Sequence, residues 1–217
     1  MPGGKVFALV LALSVVAPLV RAGPVSVAML GDSLTQGYGL QAGDGLTDQL
    51  EVWLQREGNA VRIVNAGVSG DTTAGGLARI DWTLGDEIDA LIVALGANDM
   101  LRGLDPANAR TNLDGILVAA QRRDVPVLLV GLTAPANYGA DYQRDFAAVY
   151  ADLAQRHDAL LYADLFAVLR AQDDPARVLA ELMQSDGIHP NAAGAKMLAA
   201  ALGPEVERLM ARIGGVQ

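Results

Sequence analysis

The segment VSVAMLGDSLTQGY at residues 25–38 decides the fold, because it passes directly from an apolar run to a polar turn. Its first part, Val25–Leu30, is short and mostly apolar, which is typical of a parallel strand that is buried on both faces. Gly31-Asp32-Ser33-Leu34 then brings polar and turn-forming residues together. We therefore predict a strand that carries polar side chains at its carboxyl end.

Similar apolar runs recur along the chain and alternate with helical patterns. The further predicted strands are Val61–Asn65, Ala90–Leu95, Val127–Leu132 and a short one at Leu160–Tyr162. The predicted helices are one around Leu46–Leu54, then Thr73–Leu84, Pro106–Arg123, Asp141–His157 and Ala192–Arg212. Because parallel neighbours need right-handed crossovers, this alternation predicts an α/β fold: a three-layer α/β/α sandwich of about five parallel strands in the flavodoxin-like order 2-1-3-4-5.

The first 22 residues are predicted to be a signal peptide. The apolar run Val6–Val20 follows Lys5 and ends in Arg21-Ala22, a plausible cleavage site with small residues nearby. A membrane anchor is the alternative, but the run is shorter than the ~20 residues that a spanning helix needs. Residues 23–217 are then expected to form a single domain without stable membrane insertion, in a bacterial periplasm or the medium.

Composition narrows the class of protein further. The chain is 52% hydrophobic, has no cysteine and carries a formal net charge of −9, which becomes −11 once Lys5 and Arg21 leave with the signal peptide. The lack of cysteine rules out disulfides and a lipoprotein attachment site. An acidic chain without clustered cations is an improbable partner for nucleic acid, which must be neutralised at its phosphates.

Polar, glycine-rich segments follow the first three predicted strands. They are Gly31–Leu34, Gly67–Asp71 and Gly96–Asp99. Ligands of open α/β sheets bind beyond the carboxyl ends of the strands, so these segments predict a site at that edge.

Ser33 is the candidate nucleophile at this edge, and it needs a base that is itself oriented by a third group. Of the two histidines, His157 fits a solvated residue at the end of a helix, whereas His189 lies in a loop of turn formers ahead of the last helix. Asp186, three residues earlier, is placed to bind one ring nitrogen and leave the other facing Ser33. The alternative for Ser33 is an N-cap or turn residue, and the alternative for Asp186 is part of an ordinary acidic turn.

An acyl-transfer site also needs donors for the oxyanion of its tetrahedral intermediate. The backbone amides of Ser33 and Gly70 and the side-chain amide of Asn98 follow three different strands and are the candidates. The alternatives are a hinge with positive φ at Gly70 and a simple turn residue at Asn98.

Together these segments resemble the SGNH, or GDSL, hydrolase superfamily, over essentially the whole chain after the signal peptide. The resemblance implies that Ser33, Asp186 and His189 are catalytic and that Ser33, Gly70 and Asn98 form the oxyanion hole. Within the superfamily, residues 30–38, 65–72 and 134–139 look most like periplasmic thioesterase I/arylesterase enzymes, which act on acyl thioesters, aryl esters and lysophospholipids. Ala97 stands where several of these carry glycine, which is expected to stiffen the loop that lines the acyl pocket.

Other functions are weaker matches to the residues. The glycines after the first strand lack the G-x-G-x-x-G and Gly-Lys-Ser/Thr spacings of nucleotide loops, and no second histidine or cysteine could complete a zinc site with Asp186 and His189. No cofactor and no metal are therefore expected. A carbohydrate O-deacetylase with the same triad and a non-catalytic periplasmic module that binds lipid or glycan stay open. The expected partner is a small acyl ester or thioester, and a monomer is favoured.

Overall fold

A five-stranded parallel sheet forms the centre of the fold in the computed structural model, which describes residues 23–214. Its strands are β1 Val25–Gly31, β2 Val61–Gly67, β3 Ala90–Ala94, β4 Val127–Val130 and β5 Leu160–Tyr162. Their order is β2-β1-β3-β4-β5, and every neighbouring pair is parallel. The predicted flavodoxin-like order and all five predicted strands are confirmed, each to within two residues at its end.

Helices cover both faces of the sheet. They are α1 Ser33–Gln36, α2 Leu46–Arg56, α3 Thr73–Ala78, α4 Ile80–Thr83, α5 Ala97–Leu101, α6 Pro106–Gln121, α7 Ala140–Arg156, α8 Ala167–Arg170, α9 Pro175–Leu182 and α10 Ala192–Met210. A 3-10 turn at Ala136–Tyr138 precedes α7. The three-layer α/β/α arrangement is therefore confirmed.

Strand β1 shows how the two faces are built, because successive side chains of a strand point to opposite sides. Val27 and Met29 pack with α2, α8 and α10, whereas Ala28 and Leu30 pack with α4, α6 and α7. All four side chains are fully buried. A strand with apolar side chains on both faces thus supplies both cores at once, which is why no apolar–polar alternation marks it in the sequence.

The predicted helix at Thr73–Leu84 is wrong as a single element, because it breaks at Arg79 into α3 and α4. Arg79 has φ −118° and ψ 9°, outside helical geometry. Its guanidinium donates to the carbonyls of Gly31 and Ala66 at the ends of β1 and β2. Adjacent Gly75 and Gly76 also weaken the helical preference of the segment. Contacts with the sheet therefore override a periodicity that looked continuous.

Helix α9 was not predicted at all, although the sequence carries a signal for it. Asp174 caps the helix by accepting hydrogen bonds from the backbone of Ala176 and Arg177, and Pro175 occupies its first turn. An Asp-Pro pair at this position is a recognised start of a helix. The helix has only 8 residues, so its apolar pattern spans little more than two turns.

Helix α1 is held tightly against the ends of β1 and β2. A Cβ at Gly67 would overlap with the backbone nitrogen of Gln36, and one at Gly31 would overlap with the side chain of Thr35. The two glycines therefore let α1 rest directly on the sheet, with Ser33 as its first residue.

The predicted signal peptide, residues 1–22, lies outside the described residues. Within 23–214 no helix combines the length and the apolar character that crossing a membrane requires.

Candidate active site

A cavity of about 780 Å³ opens where the strands end, as the positions of the polar segments predicted. Ser33, Gly70, Asn98 and His189 all line it. Asp186 lies behind His189 and is hydrogen-bonded to it. The structure thus brings together all five candidate residues from four separate segments of the chain.

Ser33, His189 and Asp186 form one chain of hydrogen bonds. The Nε2 atom of His189 lies 2.9 Å from Oγ of Ser33, and its Nδ1 atom lies 2.7 Å from Oδ2 of Asp186. With Nδ1 protonated and bound to the carboxylate, Nε2 is left as an acceptor for the serine hydroxyl proton. The arrangement can therefore take a proton from Ser33.

The loop that carries His189 is held by its own backbone. Oδ1 of Asp186 accepts hydrogen bonds from the backbone N–H groups of Ile188, at 2.9 Å, and His189, at 3.0 Å. The N–H of Gln184 donates to the carbonyl of His189 at 2.8 Å. These bonds close a tight loop, so the imidazole and the carboxylate keep a fixed relation to each other.

The same contacts set the charge of the carboxylate. Hydrogen bonds from the backbone N–H of His189, its imidazole and the backbone N–H of Ile188 lower the pKa of Asp186 from 3.8 to about 2. Asp186 is therefore ionised across the neutral range, as an orienting partner of a basic imidazole must be.

Tyr38 is a neighbour of the imidazole that the sequence analysis missed. Its ring lies 4.7 Å from that of His189, centroid to centroid, at an angle of 39°. Its carbonyl accepts a 2.8 Å hydrogen bond from the side chain of Gln184, at the base of the histidine loop. The position of Tyr38 one turn beyond Ser33, after the left-handed Gly37, is the only hint in the sequence.

Asp32 fixes the start of α1 and hence the position of Ser33. Its Oδ1 caps the helix by accepting the N–H of Leu34 at 3.0 Å, and its Oδ2 faces Nδ2 of Asn98 at 3.4 Å. The side chain is buried, and desolvation raises its pKa from 3.8 to about 6, against the opposing effect of these hydrogen bonds. Asp32 thus links the segment of Ser33 to that of Asn98.

Arg102 links the loop of Gly70 to the helix that carries Asn98. Gly70 has φ +81°, so the positive-φ conformation that was the alternative to an oxyanion role is present there. Nη2 of Arg102 donates to the carbonyl of Gly70 at 2.8 Å, while the N–H of Arg102 donates to the carbonyl of Asn98 at 3.2 Å. One residue therefore joins the loop after β2 to helix α5 after β3.

Two buried or half-buried polar contacts support these loops from below. Arg79 binds Asp71, next to Gly70, at 2.8 Å, in addition to its two bonds to the strand ends. Asp99, next to Asn98, is buried and accepts hydrogen bonds from the N–H and the hydroxyl of Thr73 at 2.8 and 2.6 Å. Both candidate oxyanion loops are thereby tied to α3 and to the sheet.

His157 is also hydrogen-bonded to an aspartate, but at a different place. It caps the end of α7, with Nε2 lying 2.8 Å from Asp114 and Nδ1 lying 3.1 Å from Gln121. Its side chain is only 7% exposed, so the expectation of a solvated residue is wrong, although its location at a helix end is correct. It binds two helices together and lies outside the cavity.

The comparison with known families agrees with this geometry. The model of the GDSL-like Lipase/Acylhydrolase family matches residues 29–197, from β1 into α10. The chain belongs to this family. The sequence-based resemblance to SGNH/GDSL hydrolases is confirmed, and with it the prediction of an ester hydrolase.

Individual members of the family are similar over most of the chain. Esterase TesA of Pseudomonas aeruginosa is 38% identical, over 88% of this chain and 92% of its own length. Thioesterase 1/protease 1/lysophospholipase L1 of Escherichia coli K12 is 34% identical, over 75% of this chain and 74% of its own. The crystal structure of AlinE4, an SGNH-hydrolase family esterase, is 43% identical, with a TM-score of 0.70 over 87% of this chain and 97% of AlinE4.

The buried carboxyl of Asp32 predicts that stability falls as the pH rises. Its folded pKa of about 6 lies above its ordinary value of 3.8, so folding binds a proton between these values. The resulting stabilisation is complete below about pH 4 and is lost as the pH rises through about 6. We expect the free energy of unfolding, from urea titrations at stepped pH, to fall by about 2 kcal/mol between pH 4 and 7.

Two variants assign this change to Asp32. Asp32→Asn removes the titrating group and should flatten the profile between pH 4 and 7. Asp81→Asn, at an exposed position in the first turn of α4, should leave it as in the wild type. Equal slopes in the wild type and Asp32→Asn would contradict the assignment.

Proposed function

We propose that this member of the family hydrolyses acyl esters and thioesters with Ser33 as nucleophile, His189 as general base and acid, and Asp186 as the group that orients the imidazole. The observation that carries the proposal is the continuous chain of bonds, 2.9 Å from Ser33 to His189 and 2.7 Å from His189 to Asp186. Activation of a serine requires a base within hydrogen-bond reach of the hydroxyl and a third group that orients the base.

The reaction proceeds in two halves. Ser33 Oγ attacks the acyl carbonyl carbon as its proton moves to Nε2 of His189, and the imidazolium then gives that proton to the departing alcohol or thiol. Water next attacks the acyl-serine, again losing a proton to Nε2, and the carboxylic acid leaves as Ser33 recovers its proton. No step needs a cofactor or a metal ion.

The oxyanion of each tetrahedral intermediate is assigned to the backbone amides of Ser33 and Gly70 and the side-chain amide of Asn98. Support comes from their common position on the cavity wall and from the Arg102 contacts that hold the last two together. Donors fixed in advance stabilise a developing charge without reorganising during the reaction.

The cavity favours an acyl chain over a sugar. Besides the polar groups at the Ser33 end, its wall is mostly apolar, with Leu34, Met100, Leu101, Leu132, Phe166, Leu169, Val178, Leu179, Met183 and Ile188. Such a wall releases free energy when it buries methylene groups, about 0.8 kcal/mol each. This favours a lipid-like acyl group over the acetylated carbohydrate that was the alternative substrate.

We also propose that residues 1–22 are a cleaved signal peptide and that 23–217 form one hydrolase domain in the periplasm or the medium. The argument rests on the apolar run Val6–Val20 between Lys5 and Arg21 and on the absence of cysteine from the whole chain.

Covalent labelling tests the nucleophile. A fluorophosphonate should add one phosphonyl group to the intact protein, with a mass gain equal to the reagent less HF, because the activated Oγ of Ser33 displaces its fluoride. Ser33→Ala should abolish the adduct and the hydrolysis of 4-nitrophenyl butyrate.

Ser69 provides the matched control for this experiment. It lines the same cavity, but its hydroxyl is bonded to Gln36 at 2.9 Å rather than to a histidine. Ser69→Ala should therefore keep the adduct, as measured by mass spectrometry of intact protein. Loss of the label in Ser69→Ala, or its retention in Ser33→Ala, would overturn the assignment.

Removal of one oxyanion donor tests the role of Asn98. Asn98→Ala should lower kcat about 10²–10³-fold with a much smaller change in KM, because the lost bond is made in the transition state. Asn108→Ala, at an exposed position on α6, is the control and should leave both constants unchanged. A loss of less than a few-fold in Asn98→Ala would remove this residue from the oxyanion hole.

A series of 4-nitrophenyl esters from acetate to octanoate tests the apolar cavity. We expect kcat/KM to rise with chain length, by at most about fourfold for each added methylene group. Val178→Asn, in the cavity wall, should flatten this rise, whereas Val52→Asn, exposed on α2, should not. A maximum at acetate would instead favour a deacetylase.

A further inference from the structure

Large apolar side chains that are exposed to solvent are concentrated at one end of the molecule. Of nine such side chains among residues 23–214, two lie elsewhere, Val52 on α2 and Trp82 on α4. The other seven follow the carboxyl ends of the five strands, and we call them the apolar rim: Tyr38, Val68, Leu101, Leu104, Tyr138, Leu179 and Ile188. Each of the five strands contributes at least one of them through the segment that follows it.

The apolar rim is continuous with the cavity. Four of its members line the cavity itself, namely Tyr38, Leu101, Leu179 and Ile188. Of the remainder, Tyr138 donates from its hydroxyl to the carbonyl of Leu101 at 3.1 Å, and Val68 directly precedes the lining residue Ser69. Apolar surface therefore extends from the bottom of the cavity to the outside of the protein.

Helix α9 has the character of an element at an apolar boundary. Val178 and Leu179 lie on the cavity wall, and Leu179 is 56% exposed. Arg177 and Glu181 form an ion pair of 2.9 Å that is largely exposed. A helix that has no buried residue and separates its apolar and charged side chains in this way is suited to lie at an interface between water and lipid.

Charge narrows the kind of surface that the rim could meet. The chain has a net charge of −9, and one of its ionised carboxylates, that of Asp186, lies beside Ile188. Of the arginines nearby, Arg170 is paired with Asp164, and Arg102 is bonded to the carbonyl of Gly70. Binding to anionic lipid depends on clustered lysines and arginines, which this end lacks among the described residues.

We propose that the apolar rim docks on the surface of a lipid aggregate with zwitterionic or uncharged head groups, from which an acyl chain enters the cavity. The inference rests on the proposed function, because it gives the acyl ester its source. Contact of the rim with lipid removes apolar surface from water and lets the chain reach Ser33 without first dissolving.

Vesicle binding tests the proposal with a double variant and a matched control. Val68→Gln/Leu104→Gln removes two rim side chains that do not line the cavity. Trp82→Gln removes a more exposed side chain, 82% accessible, from α4, which leads to the amino end of β3. The wild type and the two variants are identical outside the substituted positions, so a difference in vesicle binding reports the substituted side chains.

The expected results separate docking from catalysis. Wild type and Trp82→Gln should cosediment equally with phosphatidylcholine vesicles, and the rim double variant should bind about tenfold more weakly. All three should hydrolyse soluble 4-nitrophenyl acetate at the same rate. Hydrolysis of micellar lysophosphatidylcholine at limiting concentration should fall only in the rim variant, in parallel with binding.

Three results would overturn the proposal. They are equal vesicle binding by the rim variant and the control, stronger binding to phosphatidylglycerol than to phosphatidylcholine vesicles, and a wild-type dimer in analytical ultracentrifugation that the rim variant dissociates. The last would mean that a second copy covers the rim. If instead the wild type failed to hydrolyse the soluble ester, the proposed function would fail, whatever the vesicles showed.

Discussion

A single 2.9 Å contact, from the imidazole of His189 to the hydroxyl of Ser33, joins two residues that are 156 positions apart. Its length depends on both ends being held independently. Ser33 is fixed because α1 rests on the glycines at the ends of β1 and β2, with Asp32 as its cap. His189 is fixed because Asp186 forms hydrogen bonds with both its backbone N–H and its imidazole ring. Local packing on one side and local hydrogen bonding on the other thus create a long-range geometry.

Two aspartates serve this contact from opposite environments. Asp186 has a pKa lowered by hydrogen bonds to about 2, whereas burial raises that of Asp32 to about 6. The first maintains a permanent negative charge behind the imidazole. The second links the segment of Ser33 to Asn98 at the cost of a carboxylate placed where water cannot solvate it. Their different charge behaviour follows from their surroundings, since the two side chains are chemically identical.

Much of the fold and of the site followed from the sequence, and the exceptions have physical causes. Strands that are buried on both faces give apolar runs in the sequence, so the strands could be predicted. The polar residues that follow these runs indicate the edge of the sheet where ligands bind, and Ser33, Gly70 and Asn98 became candidates for this reason. The break at Arg79 could not be predicted, because it depends on hydrogen bonds to the carbonyls of distant strands. Nor could the burial of His157, whose partners Asp114 and Gln121 belong to another helix. The stacking of Tyr38 on His189 likewise exists only after folding.

Helix α9 forms part of the cavity wall and packs on one core only through two partly buried side chains, Val178 and Leu182. No residue proposed for the chemistry lies on it. Its substitution should therefore cost little folding free energy, in contrast to changes in the strands or in α10. The preference for an acyl group and the chemistry of hydrolysis are therefore assigned to different segments of the chain. Selection, or a protein engineer, can remodel the preferred acyl group in this one segment while the rest of the molecule keeps its stability and its rate-determining geometry.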